Sequence, residues 1–546
     1  MKWTNKWIIG CCLLAITLTV LACSMVKSDV MAKDREAVSV GAPTVLSVFA
    51  APPLDVEDLK TNTFTKYLEK KLNIRFEFDI ANNVVRKERK QMSFASGDYP
   101  AVFLGGELTA DEQVKYGMSG VLRPLGDLID QYGNNIKQRL EEHPELRKAI
   151  TAPDGKIYAL PSVNECLHCW YAQKLWVNTE WLKKLNLSPP ATTEQFYEML
   201  KAFKTKDPNG NGIADEIPLT GASDSWHSKI TGFLMSAFIY NTDDNYLYIV
   251  DGKVGLAAAQ PEWKEGLKYI RKLYQEGLID PSAFTQTIDG LVQLATQDGD
   301  IVLGSATLGH IRMAFGSLDN ERNKQYDTIA PLIGPSGYQA AGYFKTIDTG
   351  QFAITDKATE AQAVAAIQLA DYLYSEEAVI LNEFGPEGLW WRRGLPGEVD
   401  EHGRPAKYKI NPEYFTRTMQ NEGWSQMGIS YRDRELRESW AVPEDPYSEE
   451  GYEHRLYTET MKNYAGKEPK EVYPANLYVD PDIAFEAARL RVQINEYVES
   501  NMVQFITGTK NIEEEWDAYL DGFSGLKLER YLGFYQKAYD SYRSQQ

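Results

Sequence analysis

The sequence predicts an α/β protein that begins with parallel strands joined by helices and ends in a helical region. Strand patterns alternate with helical patterns after the N-terminal leader, which is typical of a parallel α/β fold. From about Asp482 to Tyr542 the pattern is helical and rich in aromatic residues. The chain has 546 residues, of which 43% are hydrophobic. It can therefore bury a large core and form at least two domains.

The N-terminus has the pattern of an export signal. Lys2 and Lys6 precede the apolar run from Trp7 to Ala22, which meets Cys23. A small residue directly before a cysteine resembles a bacterial lipoprotein signal, in which residues 1–22 are removed and Cys23 carries the lipid. The alternative is an uncleaved membrane anchor, because the 20 uncharged residues 7–26 are long enough to span a bilayer. Both alternatives place the folded part outside the cytoplasm.

The first folded elements alternate between strand and helix. Residues 23–43 are predicted to be a lipid anchor and polar tether. The strand patterns that follow are 44–49, 73–79 and 101–104, separated by helical patterns at 63–72 and 84–95. Later helical faces repeat at the same spacing, and they comprise Trp263, Leu267, Ile270 and Tyr274, then Ala363, Ile367, Ala370 and Tyr374. This order of elements predicts a parallel α/β sheet near the start of the chain.

Residues 207–216, Asp-Pro-Asn-Gly-Asn-Gly-Ile-Ala-Asp-Glu, form a predicted calcium-binding loop. Calcium takes six to eight oxygen ligands, and a short loop can supply them from alternating positions around a glycine turn. An EF-hand loop ends in glutamate at position twelve, but here that position is Pro218. Asp215 and Glu216 are therefore predicted to close the site. The full predicted ligand set is Asp207, Asn209, Asn211, the Ile213 carbonyl, Asp215 and Glu216.

The flanks of this loop differ from those of an EF-hand. Thr192 and Gln195 have the spacing of a capping box before an apolar helix face, and residues 217–220 can only be extended. The loop therefore lies between a helix and a strand. The alternative is a solvated Asn/Gly turn without metal, since both residue types favour turns. The predicted role of the ion is structural.

Two cysteines remain in the folded part, Cys166 and Cys169, with His168 between them. Their spacing is that of a redox motif or half a zinc site. No second CxxC sequence is present to complete four cysteine ligands. A local disulfide formed outside the cell is the alternative that we favour.

The charge of the chain excludes one class of partner. Loss of residues 1–22 would remove two lysines and no acid, changing the formal net charge from −19 to −21. A chain this acidic lacks the basic surface that phosphate binding demands, so nucleic acid is not an expected partner.

Several segments, in their order along the chain, resemble the large solute-binding lipoproteins (family 1) of carbohydrate ABC importers, and in particular the calcium-containing alginate-oligosaccharide-binding proteins. The segments are 95–102 (ASGDYPAV), 154–161 (DGKIYALP), 175–182 (LWVNTEWL), the calcium loop, 274–281 (YQEGLIDP), 505–508 (FITG) and 514–516 (EEW). The resemblance covers nearly all of the mature chain. It implies the same six calcium ligands.

The resemblance implies a two-lobed periplasmic-binding-protein-like (class II) fold with hinge-crossing segments and a helical C-terminal region. The expected boundaries are 44–165 for lobe 1, 166–332 for lobe 2, 333–378 for a return to lobe 1, and 379–546 for the rest of lobe 2. Residues 343–355 are predicted to form a strand entering lobe 1. The lobes are expected to close on a ligand held between them.

The implied function is that of a lipid-anchored receptor on the extracellular face of the bacterial cell membrane. It would capture oligosaccharides and deliver them to the transmembrane subunits of an ABC permease, with no catalytic residues of its own. A monomer is expected. Calcium is the only cofactor that the resemblance implies.

Sugars stack their C–H faces on aromatic rings and exchange hydrogen bonds with polar side chains. The candidate ligand-binding residues are tryptophans in turn-rich or polar surroundings and one adjacent arginine, namely Trp170, Trp226, Trp390, Trp391, Arg392 and Trp424. The run Trp390 to Arg393 would suit acidic sugars, because arginine pairs with carboxylates. The alternative for each tryptophan is core packing, and for Arg392 a surface ion pair.

Two other functions remain open from the sequence. A secreted, calcium-stabilised glycoside hydrolase would also be acidic and aromatic-rich, and it would need two carboxylates about 5 to 9.5 Å apart. The sequence contains no nucleophile elbow, HExxH, Walker A or Rossmann glycine motif. A binding protein for peptides or other non-sugar solutes would use the same two lobes.

Overall fold

A computed structural model describes residues 41–82, 85–242, 245–316, 321–345, 347–474 and 477–544. The predicted leader, Cys23 and most of the tether lie outside these ranges. Val45–Gln546 forms one unit by its internal contacts. Within the described ranges, no helix is long and apolar enough to cross a membrane.

The strands, numbered in chain order, are β1 Thr44–Ala50, β2 Ile74–Ile80, β3 Val102–Leu104, β4 Leu160–Asn164, β5 Leu175–Asn178, β6 Leu247–Val250, β7 Lys253–Leu256, β8 Ser305–Thr307, β9 Tyr326–Thr328, β10 Asp348–Ile354, β11 Trp391–Arg393, β12 Tyr408–Ile410 and β13 Tyr431–Arg432.

The helices are α1 Thr63–Leu72, α2 Arg86–Ser96, α3 Ala110–Met118, α4 Gly126–Tyr132, α5 Asn134–Glu142, α6 Pro144–Ile150, α7 Leu167–Trp170, α8 Thr179–Lys184, α9 Thr193–Thr205, α10 Ile230–Met235, α11 Pro261–Gln275, α12 Ile288–Thr296, α13 Arg312–Phe315, α14 Glu360–Leu373, α15 Glu376–Phe384, α16 Glu413–Thr416, α17 Arg434–Glu438, α18 Tyr452–Asn463, α19 Pro481–Thr507, α20 Ile512–Gly525 and α21 Leu528–Ser544. Short 3₁₀ turns cover Ala257–Ala259, Pro281–Phe284 and Asn323–Gln325.

The first lobe is built on a six-stranded sheet in the order β13-β4-β10-β3-β1-β2. β1 pairs with β3 in parallel, and β10 is antiparallel to both β3 and β4. The side chains of β1 alternate between the two faces of the sheet, so Leu46 and Val48 pack into one hydrophobic core and Phe49 packs into another. The three early strands predicted from the sequence are present, and helices cover both faces of the sheet.

The second lobe is centred on the three-stranded sheet β8-β5-β9, whose neighbouring strands are antiparallel. Helix α9 buries Phe196, Leu200 and Phe203 in this lobe, so the apolar face predicted for it packs against the core. The C-terminal helices α19 to α21 pack into the same core. The helical C-terminal region is therefore confirmed.

The chain crosses between the lobes near residue 165, again between Ala341 and Asp348, and a third time after β13. Two expected boundaries are therefore wrong. Residues 333–341 stay with the second lobe, where Ala340 N–H donates to the Ser236 carbonyl at 3.1 Å. The segment 379–432 packs with the first lobe, because β13 adds to its sheet beside β4.

Candidate functional site

A cleft separates the two lobes, and it contains two adjoining cavities of about 510 and 190 Å³. Asn164 and Asp348 line both cavities. The smaller cavity lies where β1, β3, β4 and β13 end and where the antiparallel β10 begins, and its lining includes Gly105, Ser162, Met427 and Arg432. The crevice outside the carboxyl ends of strands is the usual ligand site of open α/β sheets.

Trp226 presents an aromatic surface to the larger cavity. It is 41% exposed, although it is a large apolar side chain. Gly309 lies against its ring so closely that a Cβ at Gly309 would be 2.2 Å from Trp226 Cε3. The neighbouring His227 has a positive φ of 50° and packs its ring 4.0 Å from that of Phe344. The close approach of Gly309 and the backbone conformation and packing of His227 therefore position the Trp226 ring so that it faces the cleft.

The imidazole of His227 lines the same cavity. Burial lowers its pKa to about 4, and the charge of Lys174 contributes to the shift. His227 is therefore neutral at pH 7, with one ring nitrogen able to donate and the other able to accept a hydrogen bond.

Trp170 also lines the larger cavity, but it is only 9% exposed. Lys345 Nζ lies 5.2 Å and Arg434 Cζ 5.1 Å from the centre of its ring, and Tyr343 contacts it in a T-shaped arrangement. Much of the ring is thus already covered by protein. Trp170 forms part of the cavity wall, whereas Trp226 offers the open aromatic surface.

Asp348 stands at the junction of the two cavities, where β10 begins. Its side chain is exposed to the cleft, and it makes no hydrogen bond or ion pair with the other described residues. Partial removal of solvent by the surrounding protein raises its pKa, and repulsion from Glu107 adds to that increase. An open carboxylate is thus present at the centre of the cleft.

The cations that line the cleft already have acidic partners. Arg86 pairs with Glu107, Lys229 Nζ lies 2.8 Å from Glu499 Oε1, and Arg432 Nη2 lies 2.6 Å from Glu383 Oε2. In each pair the acid holds the basic side chain in place and neutralises its positive charge.

The prediction of Trp424 as a ligand-binding residue is wrong. Trp424 is completely buried in the first lobe, where its indole N–H donates to Thr65 Oγ1 at 2.7 Å. Its ring meets Phe64 at 5.0 Å in a T-shaped contact. Asn421 and Glu422, which precede it along the chain, are half-buried, and the tryptophan points into the core.

Trp390, Trp391 and Arg392 lie on or beside the β11–β12 hairpin and do not line either cleft cavity. Trp390 and Trp391 are 8% and 6% exposed. Trp391 Nε1 donates to the Gly385 carbonyl at 2.8 Å. Arg392 makes two hydrogen bonds to the Glu398 carboxylate, at 2.7 and 2.5 Å. Packing and an ion pair therefore account for these residues, and the expected clamp for an acidic sugar is not in the cleft.

The predicted calcium loop follows α9 and is closed by hydrogen bonds to its own acids. Asp207 Oδ1 accepts from the Gly210 and Asn211 N–H groups, at 2.9 and 3.1 Å, and Asp207 Oδ2 accepts from Gly212 N–H at 3.0 Å. The side-chain amides of Asn209 and Asn211 both point at Asp215. Asp207, Gly210 and Gly212 have positive φ angles, so the chain turns sharply here.

One carboxylate of the loop has an unsatisfied oxygen. Glu216 Oε1 is buried without a hydrogen-bond partner among the described residues. Burial raises the pKa of Glu216, and the nearby acids Asp215 and Asp207 add to that increase. A buried, unpartnered acceptor beside other carboxylates fits a bound cation, because an ion would satisfy the oxygen and offset the repulsion.

Cys166 and Cys169 form a disulfide at the first crossing between the lobes. Their sulfurs and the His168 ring nitrogens lie within 4.8 Å of one another, a separation that free thiolates could use to hold a metal. In the disulfide both sulfurs are bonded to each other, so they cannot act as thiolate ligands. His168 Nε2 instead lies 3.0 Å from Glu453 Oε2.

Sequence reasoning missed Asp348, Asn164 and Arg432. All three lie at the ends of strands in one sheet, but those strands are far apart in the chain. A strand was predicted at 343–355, so the available signal was an acid at the start of that strand. Only the pairing of β4, β10 and β13 shows that these side chains meet.

The sequence profile of the family described as bacterial extracellular solute-binding protein matches residues 51–380. The protein belongs to this family. A curated relative, the fructooligosaccharide ABC transporter substrate-binding protein FusA of Streptococcus pneumoniae serotype 4, is 27% identical over 546 residues, covering 97% of each chain.

Solved structures show the same fold as this solute-binding protein. FusA in complex with kestose matches with a TM-score of 0.75 and 26% identity, covering 92% of this chain and 100% of that one. An HMO-binding solute-binding protein from Bifidobacterium longum infantis matches with a TM-score of 0.78 and 24% identity over 92% and 99%. The alginate-binding protein AlgQ2 without calcium ion matches with a TM-score of 0.65 and 24% identity, covering 91% of this chain and 98% of that one. The predicted two-lobed fold is thereby confirmed.

Proposed function

We propose that this solute-binding protein captures oligosaccharides in the cleft between its lobes and delivers them to an ABC importer. The observation that carries the proposal is Trp226, an open aromatic ring at a cavity of about 510 Å³. An exposed ring beside polar side chains is the arrangement that binds a sugar, since the C–H face of the sugar stacks while its hydroxyls form hydrogen bonds. The names of FusA and the HMO-binding protein support the same ligand class.

The proposed mechanism is binding followed by closure. A sugar unit stacks on Trp226 of the second lobe, and its hydroxyls meet Asn164 and Asp348 of the first lobe. Because the ligand contacts both lobes, it stabilises the closed form over the open form. The closed form is the one proposed to dock on the transmembrane subunits of the permease.

We propose no catalytic step. A glycoside hydrolase needs two carboxylates placed across the bond that it cleaves. The acids that line the described cavities are Asp348 and Glu107, and Glu107 is paired with Arg86. The described lining of the two cleft cavities therefore contains no second unpaired carboxylate that could act with Asp348, which supports binding over hydrolysis.

Calcium is the proposed structural ion. The residues that would hold it are Asp207, Asn209, Asn211, Ile213 through its carbonyl, Asp215 and Glu216. The buried, unpartnered Glu216 Oε1 supports this proposal. A solved structure of the relative FusA is that of an EF-hand mutant in complex with fructo-nystose, and an EF-hand is a calcium-binding motif.

We further propose that Cys23 carries a lipid and holds a monomer at the extracellular face of the cell membrane. The family is extracellular, and one relative over 59% of this chain is a lipoprotein, LipO of Bacillus subtilis. The apolar run before Cys23 supplies the sequence basis.

The test is titration calorimetry of residues 24–546, which retain the whole unit Val45–Gln546, with neutral and acidic oligosaccharides in calcium. We expect one glycan class to bind and to be recovered intact. Trp226→Ala should weaken that binding by roughly 10-fold or more, because it removes the apolar ring face that the sugar covers, and covering about 60 Å² of apolar surface contributes about 1.5 kcal/mol. Trp226→Phe should retain part of the affinity.

Thermal unfolding of both variants provides the control: each should still unfold in one cooperative transition, with a modestly lower melting temperature because part of the Trp226 ring packs against Gly309. No binding across the panel would contradict the sugar proposal, and recovery of shortened glycan would show hydrolysis.

A further inference from the structure

We propose that the cleft selects neutral oligosaccharides and that Asp348 is the residue that excludes glycans rich in uronic acid. This inference rests on the proposed function and narrows its ligand class. The sequence left the charge of the sugar open, and the run from Trp390 to Arg393 was its one candidate for recognising acidic sugars. That run lies outside both cavities.

The position of Asp348 gives it contact with any ligand that fills the cleft. It is one of two residues that line both cavities, and its carboxylate is exposed there without a partner among the described residues. An ionised carboxylate only accepts hydrogen bonds, and its two oxygens can take hydroxyl donors from adjacent sugar carbons. A neutral sugar supplies such donors, whereas a uronate would bring a second negative charge.

The lining offers no compensating cation. Arg86, Lys229 and Arg432 are held by Glu107, Glu499 and Glu383, as described above. A uronate would have to displace one of these acids, and the displaced acid would then lie unpaired in the cleft.

Two further cations, Lys345 and Arg434, lie over the ring of Trp170. Arg434 Nε is 3.8 Å from Glu438 Oε1. Lys345 Nζ lies over the same ring. Neither side chain is among those that line the cavities.

The electrostatic surroundings of Asp348 agree with this assignment. Its pKa is raised, first by the loss of solvent and then by Glu107, so the neighbouring charge that acts on it is negative. A ligand carboxylate at the same place would meet the same negative potential together with that of Asp348 itself.

The experiment compares matched ligands that differ only at C6, where one carries a carboxylate and the other a neutral hydroxymethyl group. Oligogalacturonate of four units is titrated beside its carboxyl-reduced, neutral counterpart, together with neutral fructan and galactan oligosaccharides of similar length. We expect the wild-type protein to bind a neutral ligand at least about 100-fold more tightly than any uronate, because a like-charge contact costs several kcal/mol.

Asp348→Asn should reverse part of this selectivity. It removes the charge and one acceptor, so binding of the neutral ligand should weaken by about 10-fold or more while the neutral-to-acidic ratio falls. Asp130→Asn, on the exposed face of α4 away from both cavities, is the matched control and should change neither quantity.

Each outcome bears on one proposal. Tight binding of uronate by the wild type, or an unchanged ratio in Asp348→Asn, would overturn the assignment of Asp348 and leave the oligosaccharide proposal standing. Absence of binding to every glycan would instead overturn the oligosaccharide proposal.

Discussion

At the scale of single residues, exposure separates tryptophans that the sequence makes look alike. Trp226 and Trp424 both follow short polar strings, yet one is 41% exposed and the other is fully buried. The difference comes from neighbours distant in the chain. The missing side chain of Gly309 leaves room for the Trp226 ring at the cavity, whereas Thr65 accepts the indole hydrogen bond of Trp424.

Trp424→Ala should destabilise the protein by about 3 to 5 kcal/mol, because it opens a cavity in the first core and leaves Thr65 without its partner. Trp424→Phe should cost less, since it keeps part of the contact with Phe64. Denaturant unfolding measures both changes. A loss within about 0.5 kcal/mol for Trp424→Ala, as expected for an exposed site, would contradict the core assignment.

The Arg392–Glu398 pair predicts an acid-dependent loss of stability. Hydrogen bonds from Arg392 lower the pKa of Glu398 to about 2, below that of a free glutamate. A lowered folded-state pKa gives stability that is present above the unfolded pKa, about 4.3, and is lost as the pH falls toward 2. The partial exposure of both side chains limits the effect to about 1 kcal/mol.

Glu398→Gln should therefore be less stable than the wild type at pH 7, and the difference should shrink between about pH 4.3 and 2. Urea unfolding at several pH values provides the measurement, with Glu141→Gln on the exposed part of α5 as a control. A difference that stays constant with pH would show that packing, rather than charge, is responsible.

At the scale of elements, the loop 207–216 connects a helix to the edge of a sheet. Helix α9 begins with a capping box at Thr192, as the sequence predicts, and it buries its apolar face. After the loop, Ile217 and Thr220 form parallel bridges with Leu303 and Ala306. A cation in the loop would thus fix the position of α9 relative to this sheet, which is why we expect a structural role.

Excess chelator should lower the melting temperature by a few degrees, because calcium at about 100 times its dissociation constant stabilises the bound form by about 2.7 kcal/mol. Asp215→Asn should melt at a lower temperature in calcium and respond little to chelator. Differential scanning calorimetry gives both values, and the calcium content of the purified protein is measured alongside. Identical melting of the wild type with and without chelator, in protein free of calcium, would exclude the ion.

At the scale of the whole molecule, the two lobes are joined by three crossings, and the cleft lies between them. The first crossing carries the Cys166–Cys169 disulfide, and the second carries Phe344 and leads into Asp348 at the cleft. Crossing segments of this kind absorb the backbone changes of domain closure. Ligand contacts from both lobes would then favour the closed state.

Saturating oligosaccharide should lower the radius of gyration of residues 24–546 in small-angle scattering, as the lobes close. Trp226→Ala at the same ligand concentration should keep the larger radius, because it binds too weakly to shift the equilibrium. An unchanged radius for the saturated wild type would indicate that the cleft binds its ligand without closure.

The sequence by itself determined the features that depend on neighbouring residues. Strand β1, the capped helix α9 and the turn at 207–216 follow from periodicity and spacing within short windows, and the predicted export signal rests on the same kind of local pattern. The family and its two-lobed fold followed from the order of such segments along the chain.

Only the tertiary structure decided which residues form the cleft. The two-residue strand β13 has too little pattern to be recognised, yet its pairing with β4 brings residues 379–432 into the first lobe. The same long-range pairing sets Asp348 beside Asn164 and buries Trp424. Burial and strand pairing depend on contacts between residues hundreds of positions apart, and local sequence does not specify those contacts.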